Sequence, residues 1–176
     1  FGGSNSKGNI EGASTVTIEE NGGSCTFNIG DVYGGGNQAA GNAGTLSIGC
    51  GAVITGNVYG GAKEANVNND IHLEITGGTL HNVFGGNNKG GTIAGTITVD
   101  INQDNSCSSW HVDNVYGGGN LAAYSAPQDN QNYPAVNIMN GTVSGSVFGG
   151  GYGASAKVTA NPQVTVTGGT ISQDVF

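Results

Sequence analysis

The sequence predicts an all-β chain wound as a right-handed parallel β-helix, a solenoid of about six coils with three short faces each. Three observations carry that expectation. VYGGGN at 32–37 returns as VYGGA at 58–62, VFGGN at 83–87, VYGGGN at 115–120 and VFGGG at 147–151. With the terminal phenylalanines, the marker aromatics are Phe1, Tyr33, Tyr59, Phe84, Tyr116, Phe148 and Phe176, spaced 25 to 32 residues apart. Self-similarity at that period marks an array of stacked units. Between the markers, segments such as TVTIE (15–19), TLSIG (45–49), IHLEIT (71–76), TITVDI (96–101), AVNIM (135–139) and QVTVT (163–167) alternate apolar and polar residues, the period-2 signature of a half-buried strand. Finally, no 3.6-residue periodicity of useful length appears. The periods are also too short for propeller blades, which need about 40–50 residues.

Each period repeats the same parts in the same order. A polar loop of variable length follows the glycines, and the alternating strand comes next. A corner containing Gly then follows in most coils, as in TGGTL (76–80), MNGTV (139–143) and TGGTI (167–171). A second short strand leads into the next aromatic. The residue before each internal aromatic and Phe176 is Val, and the one before that is polar: Asp31, Asn57, Asn82, Asn114, Ser146, Asp174. Stacking at about 4.8 Å per coil turns the Val and the aromatic of each motif into ladders. Val and ring point to opposite faces of the strand, so one ladder belongs inside and the other on the outer face or under a loop. The motif glycines serve either to turn with positive φ or to leave room where a Cβ would meet the next coil. Asn37 and Asn120 fit the tolerance of asparagine for left-handed backbone.

Composition narrows the function classes. Thirty-five glycines fall at fixed offsets from Val, Ile, Tyr and Phe, which points to folding rather than disorder. Four lysines, no arginine and a net charge of −8 argue against nucleic acid and against polyanionic substrates. No apolar run is long enough to insert directly in a membrane. A motif cut at each end predicts that 1–176 is one solenoid segment inside a longer repeat protein. The three cysteines read either as free buried thiols or, for Cys25 and Cys50 at similar positions of adjacent coils, as a disulfide. Cys107, two coils further on, reads as a lone thiol.

Chemistry-bearing constellations are sparse. Glu19 with Glu20 and Asp100 with Asp104 are the close acid pairs, and neither is placed as a glycosidase pair would be. His81 and His111 stack as candidates for a metal pair, but no carboxylate or Cys is expected at their level, while strand alternation turns His72 outward. Trp110 reads as a core residue or as an exposed sugar platform. No catalytic residue, metal or cofactor is assigned, and the chain is not expected to be an enzyme. The variable segment after each glycine run carries every lysine and every proline, and in a solenoid such insertions gather on one side. The binding candidates are therefore Tyr124, Asp129, Tyr133 and Tyr152.

The V-[YF]-G-G-[GN] motif and the T-[VIL]-x-[IV]-x-G-G-T-[VIL] strands resemble the Gly-rich repeat regions of large bacterial cell-surface or secreted adhesin-like proteins. Those regions are similar to the right-handed β-helices of the pectin-lyase-like superfamily. The resemblance implies an extracellular or cell-surface location and a stalk, fibre or adhesive role, and it carries no catalytic residues onto this sequence. The expected partners are other copies, end to end or laterally, or a host or matrix glycan or protein. A carbohydrate-binding or carbohydrate-cleaving β-helix is the alternative.

Overall fold

The computed structural model describes residues 1–22 and 27–176. The alternating segments and marker motifs form strands that stack coil on coil. The first coil holds β1 (Thr15–Ile18), β2 (Asn28–Ile29) and β3 (Val32–Tyr33); the second holds β4 (Thr45–Ile48), β5 (Val53–Ile54) and β6 (Val58–Tyr59). In the third, β7 (Ile71–Ile75) is followed by β8 (Gly78–Phe84), and in the fourth β9 (Ile97–Asn102) by β10 (Trp110–Tyr116). The loop strand β11 (Tyr124–Ser125) precedes the fifth coil, β12 (Ala135–Asn140), β13 (Thr142–Val143) and β14 (Val147–Phe148). Another loop strand, β15 (Val158–Thr159), precedes β16 (Gln163–Val166) and β17 (Thr170–Ile171). Every pairing is parallel, and the six rungs make a solenoid of about five turns.

One side is a six-stranded sheet, β1-β4-β7-β9-β12-β16, in unbroken register over its interior positions. Val16, Leu46, Leu73, Val99, Val136 and Val164 form one inward ladder, and Ile18, Ile48, Ile75, Ile101, Ile138 and Val166 the other. The second side carries the corner strands and the aromatic motif. The third side is thinner: the bridges Gly41–Val67 and Val67–Ile93, then the pair β11–β15. The inward aliphatics of the middle coils are fully buried in one continuous core.

The strand VY of each motif splits its side chains as its pleat requires. Val32, Val58, Val83, Val115 and Val147 enter the aliphatic core. Tyr33, Tyr59, Phe84 and Tyr116 form a second, separate core on the other face, with Phe148 packed against it. All seven marker aromatics stack, with centroids 4.6 to 5.1 Å apart and planes within about 11° of parallel.

Glycine serves two distinct ends. The corner residues Gly78, Gly141 and Gly169 have φ of 100°, 95° and 79°, which L side chains rarely adopt. None of the motif glycines has positive φ. There the requirement is space: a Cβ on Gly34, Gly60, Gly85 or Gly117 would strike the carbonyl oxygen of the corresponding glycine one coil on. The left-handed conformation expected of Asn37 and Asn120 is absent, since no described non-glycine residue has positive φ. Their amides instead join equivalent amides of the preceding coil, Asn37 Nδ2 to Asn5 Oδ1 at 2.7 Å and Asn120 Nδ2 to Asn88 Oδ1 at 2.9 Å.

The cysteine expectation is corrected. Cys50 is bonded to Cys107, with Cα atoms 5.4 Å apart, and Cys25 lies outside the described residues. Counting coils put Cys50 and Cys107 too far apart because it ignored the insertion 103–109. That loop leaves coil four and folds back across coil three: Asp104 N donates to Thr76 O, Gly78 N to Ser109 O and Gly51 N to Ser109 Oγ. The bridge crosses directly over Gly77, where a Cβ would lie 2.7 Å from Cys107 Sγ and 2.8 Å from Cys50 Cα.

Candidate functional site

On the outer face of the second side, the polar residue two before each ring lies beside that ring, because i and i+2 share a strand face. Stacking makes these residues into a chain of amides. Asp31 Oδ1 accepts from the Asn57 backbone N–H at 2.9 Å. Asn82 Nδ2 donates to Asn57 Oδ1 at 3.0 Å, and Asn114 Nδ2 to Asn82 Oδ1 at 3.1 Å. Asn114 Oδ1 then accepts from Ser146 N at 2.9 Å. Each primary amide has two N–H groups and two lone pairs, so this chain leaves hydrogen-bonding capacity facing outward.

The hydroxyl end of the aromatic ladder is also polar. Tyr33 donates to Asp31 Oδ2 at 3.2 Å and accepts from buried Asn88 Nδ2 at 2.8 Å. Burial raises the phenol of Tyr33, and it pushes Tyr59 up to about 12, with the Asp31 charge adding to both. Burial raises Tyr116 as well. Phe84 interrupts the row of hydroxyls between Tyr59 and Tyr116, and a cavity of about 410 Å³ opens beside it. The ring edges of Phe84 and Tyr116 line it together with the amides of Asn57, Asn82, Asn114 and Asn120, and Tyr152 stands over it.

Of the four binding candidates Tyr124, Asp129, Tyr133 and Tyr152, only Tyr152 lines this groove. It is 66% exposed and meets Phe84 and Tyr116 at 75° and 80°, with centroids 6.5 and 5.5 Å away. Tyr124 is no surface residue: it is 2% exposed in the aliphatic core, its hydroxyl donating to Gly95 O at 3.0 Å. The variable segment that makes it a binding candidate does not stay on the surface, since β11 pairs with β15 and closes the third side. Tyr133 is half-buried against the same core, and Asp129 is exposed in the 120–134 loop, away from the groove lining. The amide chain was visible in sequence as an unbroken run of polar residues at one repeat position. Its meaning depended on three consecutive coils carrying Asn there.

Two histidine clusters lie elsewhere on the surface. His72 is outward, as alternation required, and its Nε2 sits 2.8 Å from Asp100 Oδ2, whose other oxygen accepts from Asn137 Nδ2. His81 Nδ1 and His111 Nε2 each engage one oxygen of Asp113, at 2.9 and 2.8 Å. A carboxylate thus does stand at the level of the two histidines, contrary to the sequence expectation. The His81 bond first, then that of His111, holds Asp113 below the usual carboxylate range. Among the described residues, no three His, Cys, Asp or Glu side chains converge in a metal-binding arrangement. Trp110 is partly buried over the corner at Gly141, its Nε1 donating to Thr142 O at 2.7 Å.

Comparison with family models, with curated proteins and with solved structures returned no match.

Proposed function

We propose that this chain is a structural and adhesive solenoid segment of an extracellular bacterial protein, a rod that holds a decorated face away from the surface it grows from. The observation that carries the reading is the unbroken run of seven stacked aromatics alongside a six-stranded parallel sheet. Such a fold gives length, about 29 Å for six rungs at 4.8 Å each, with few free backbone groups for proteases to grip. The Cys50–Cys107 bridge supports an oxidising, extracytoplasmic compartment. In this reading the chain does no catalysis and needs no cofactor.

Three measurements test it together. Amide hydrogen exchange should be slow along the six-stranded sheet, thermolysin should leave most of the chain uncut, and non-reducing mass spectrometry of protein from intact cells should find the Cys50–Cys107 peptide pair. A readily digested chain with fast-exchanging sheet amides, whose thiols are free in cells, would sink the proposal.

A further inference from the structure

We infer that the groove beside Phe84 is a binding site for a neutral saccharide, with Tyr152 as its stacking platform and the amide chain Asn57–Asn82–Asn114 as its hydroxyl-reading wall. This deepens the adhesive half of the proposed function by naming the site and the ligand class.

The platform follows from the ladder's geometry. Both faces of Phe84 are covered, by Tyr59 and Tyr116, and both faces of Tyr116 by Phe84 and Phe148. Tyr152 can therefore meet these rings only at their edges, and the near-perpendicular planes place it along the side of the stack. Aromatic edges carry positive charge and faces negative, so the contact holds the Tyr152 ring in place while two thirds of its surface stays open. A fixed, half-wet aromatic ring of this kind suits the C–H face of a pyranose.

The wall follows from the amides. Asn82 and Asn114 each use one N–H and one carbonyl oxygen to hold their neighbours, so their orientation is set before any ligand arrives. What remains is one donor and one further lone pair on each, repeated at the rung spacing. Paired donors and acceptors of this kind match adjacent hydroxyl groups, which both give and accept. Tyr116 adds a hydroxyl that has no hydrogen-bond partner among the described residues, on a side chain only 6% exposed.

Charge decides the ligand class. No carboxylate, ammonium or imidazole group lines the groove, and the chain as a whole carries −8. An anionic ligand would meet no cation and a repulsive field, and a cationic one would find no carboxylate in the lining. The volume of about 410 Å³ lies within the range of small-ligand sites and suits one or two sugar units.

The test titrates the whole chain with soluble tetramers of β-linked glucose, mannose and N-acetylglucosamine, with oligogalacturonate as the charged comparison. Calorimetry and side-chain amide NMR provide the readouts. We expect saturable binding of at least one neutral tetramer, with shifts at the amides of Asn82 and Asn114. Tyr152→Ala should weaken it about ten-fold or more, while Tyr152→Phe keeps most of it and Asp129→Ala leaves it unchanged. Tyr152 is exposed, so these variants should fold, and their circular dichroism should match the parent. Absence of saturable binding to every neutral tetramer, equal binding by Tyr152→Ala, or preference for oligogalacturonate would each overturn the site. If binding fails while the chain remains protease-resistant with slowly exchanging sheet amides, the site is wrong and the structural reading stands; if the chain is readily digested and exchanges fast, that reading fails too.

Discussion

Val58 and Tyr59 are neighbours on one two-residue strand, and both are almost wholly buried, yet they belong to different cores. Val58 sits in a three-dimensional interior, touched by residues from all sides of the coil. Tyr59 sits in a column, its faces covered by one ring above and one below. The interior ladder accepts Val16, Leu46, Leu73, Val99 and Val136 at one level, because aliphatic volume can be redistributed among neighbours. The column accepts only flat rings, and it varies in whether they carry a hydroxyl. Holding the coil closed is thus assigned to the interior. The column's rim, with its amides and phenols, is left free to differ from coil to coil.

Truncating the interior should have the largest effect. Leu73→Ala should cost about 2–5 kcal/mol, measured as a shift in urea unfolding, because the buried site cannot collapse around the gap. A loss no greater than that of an exposed substitution would mean the interior is not tightly packed. Next comes alkali. Tyr59 is neutral in the fold up to about pH 12, whereas the unfolded chain releases that proton near 10. Its contribution is complete below pH 10 and drains away as pH rises through about 12, and Tyr33 and Tyr116 shift the same way. Unfolding followed from pH 9 to 12 should show this decline, and Tyr59→Phe should lessen it without abolishing it, since Tyr33, Tyr116 and the buried Tyr124 remain. A level profile in the parent would show a column open to water.

Gly60→Ala should cost about 1–3 kcal/mol by forcing a methyl to within 2.5 Å of Gly85 O and 2.7 Å of Ile71 Cγ2. Thermal melting would reveal it, and an unchanged melting temperature would mean the coils can part cheaply. The smallest effect on stability is expected for Phe84→Tyr, under about 1 kcal/mol, since it adds one hydroxyl facing the groove. That same hydroxyl should restore the unbroken row of phenols and reduce neutral-saccharide binding. Unchanged binding would separate the ligand from the gap beside Phe84.

Much of this was legible in the sequence because a solenoid writes its contacts as a period. The seven aromatics announced the column and the alternation announced the six-stranded sheet; the polar residue two before each ring was visible, but its bonding into an amide chain was not. What escaped was whatever broke the period. Residues 103–109 are an insertion that runs backwards over a coil, so the distance between Cys50 and Cys107 could not be read from coil number. Tyr124 lies in a long loop whose composition is that of a surface, and only its pairing with β15 brings it inside. The histidines escaped for a subtler reason: His81 and Asp113 are side by side on adjacent strands, a relation visible only once the register of β8 and β10 is known.

The backward loop has a mechanical meaning. Pulled by its two ends, a stack of coils peels from its extremities, each released coil lengthening the chain by one period. The Cys50–Cys107 staple takes the load out of the third coil altogether, since tension entering at one sulfur leaves at the other. Of the full contour, the 57-residue span between them stays folded into itself, withholding about 200 Å of extension until a thiol cuts the link. A solenoid stapled this way, if pulled, would lengthen on either side of a middle that cannot pay out under force alone.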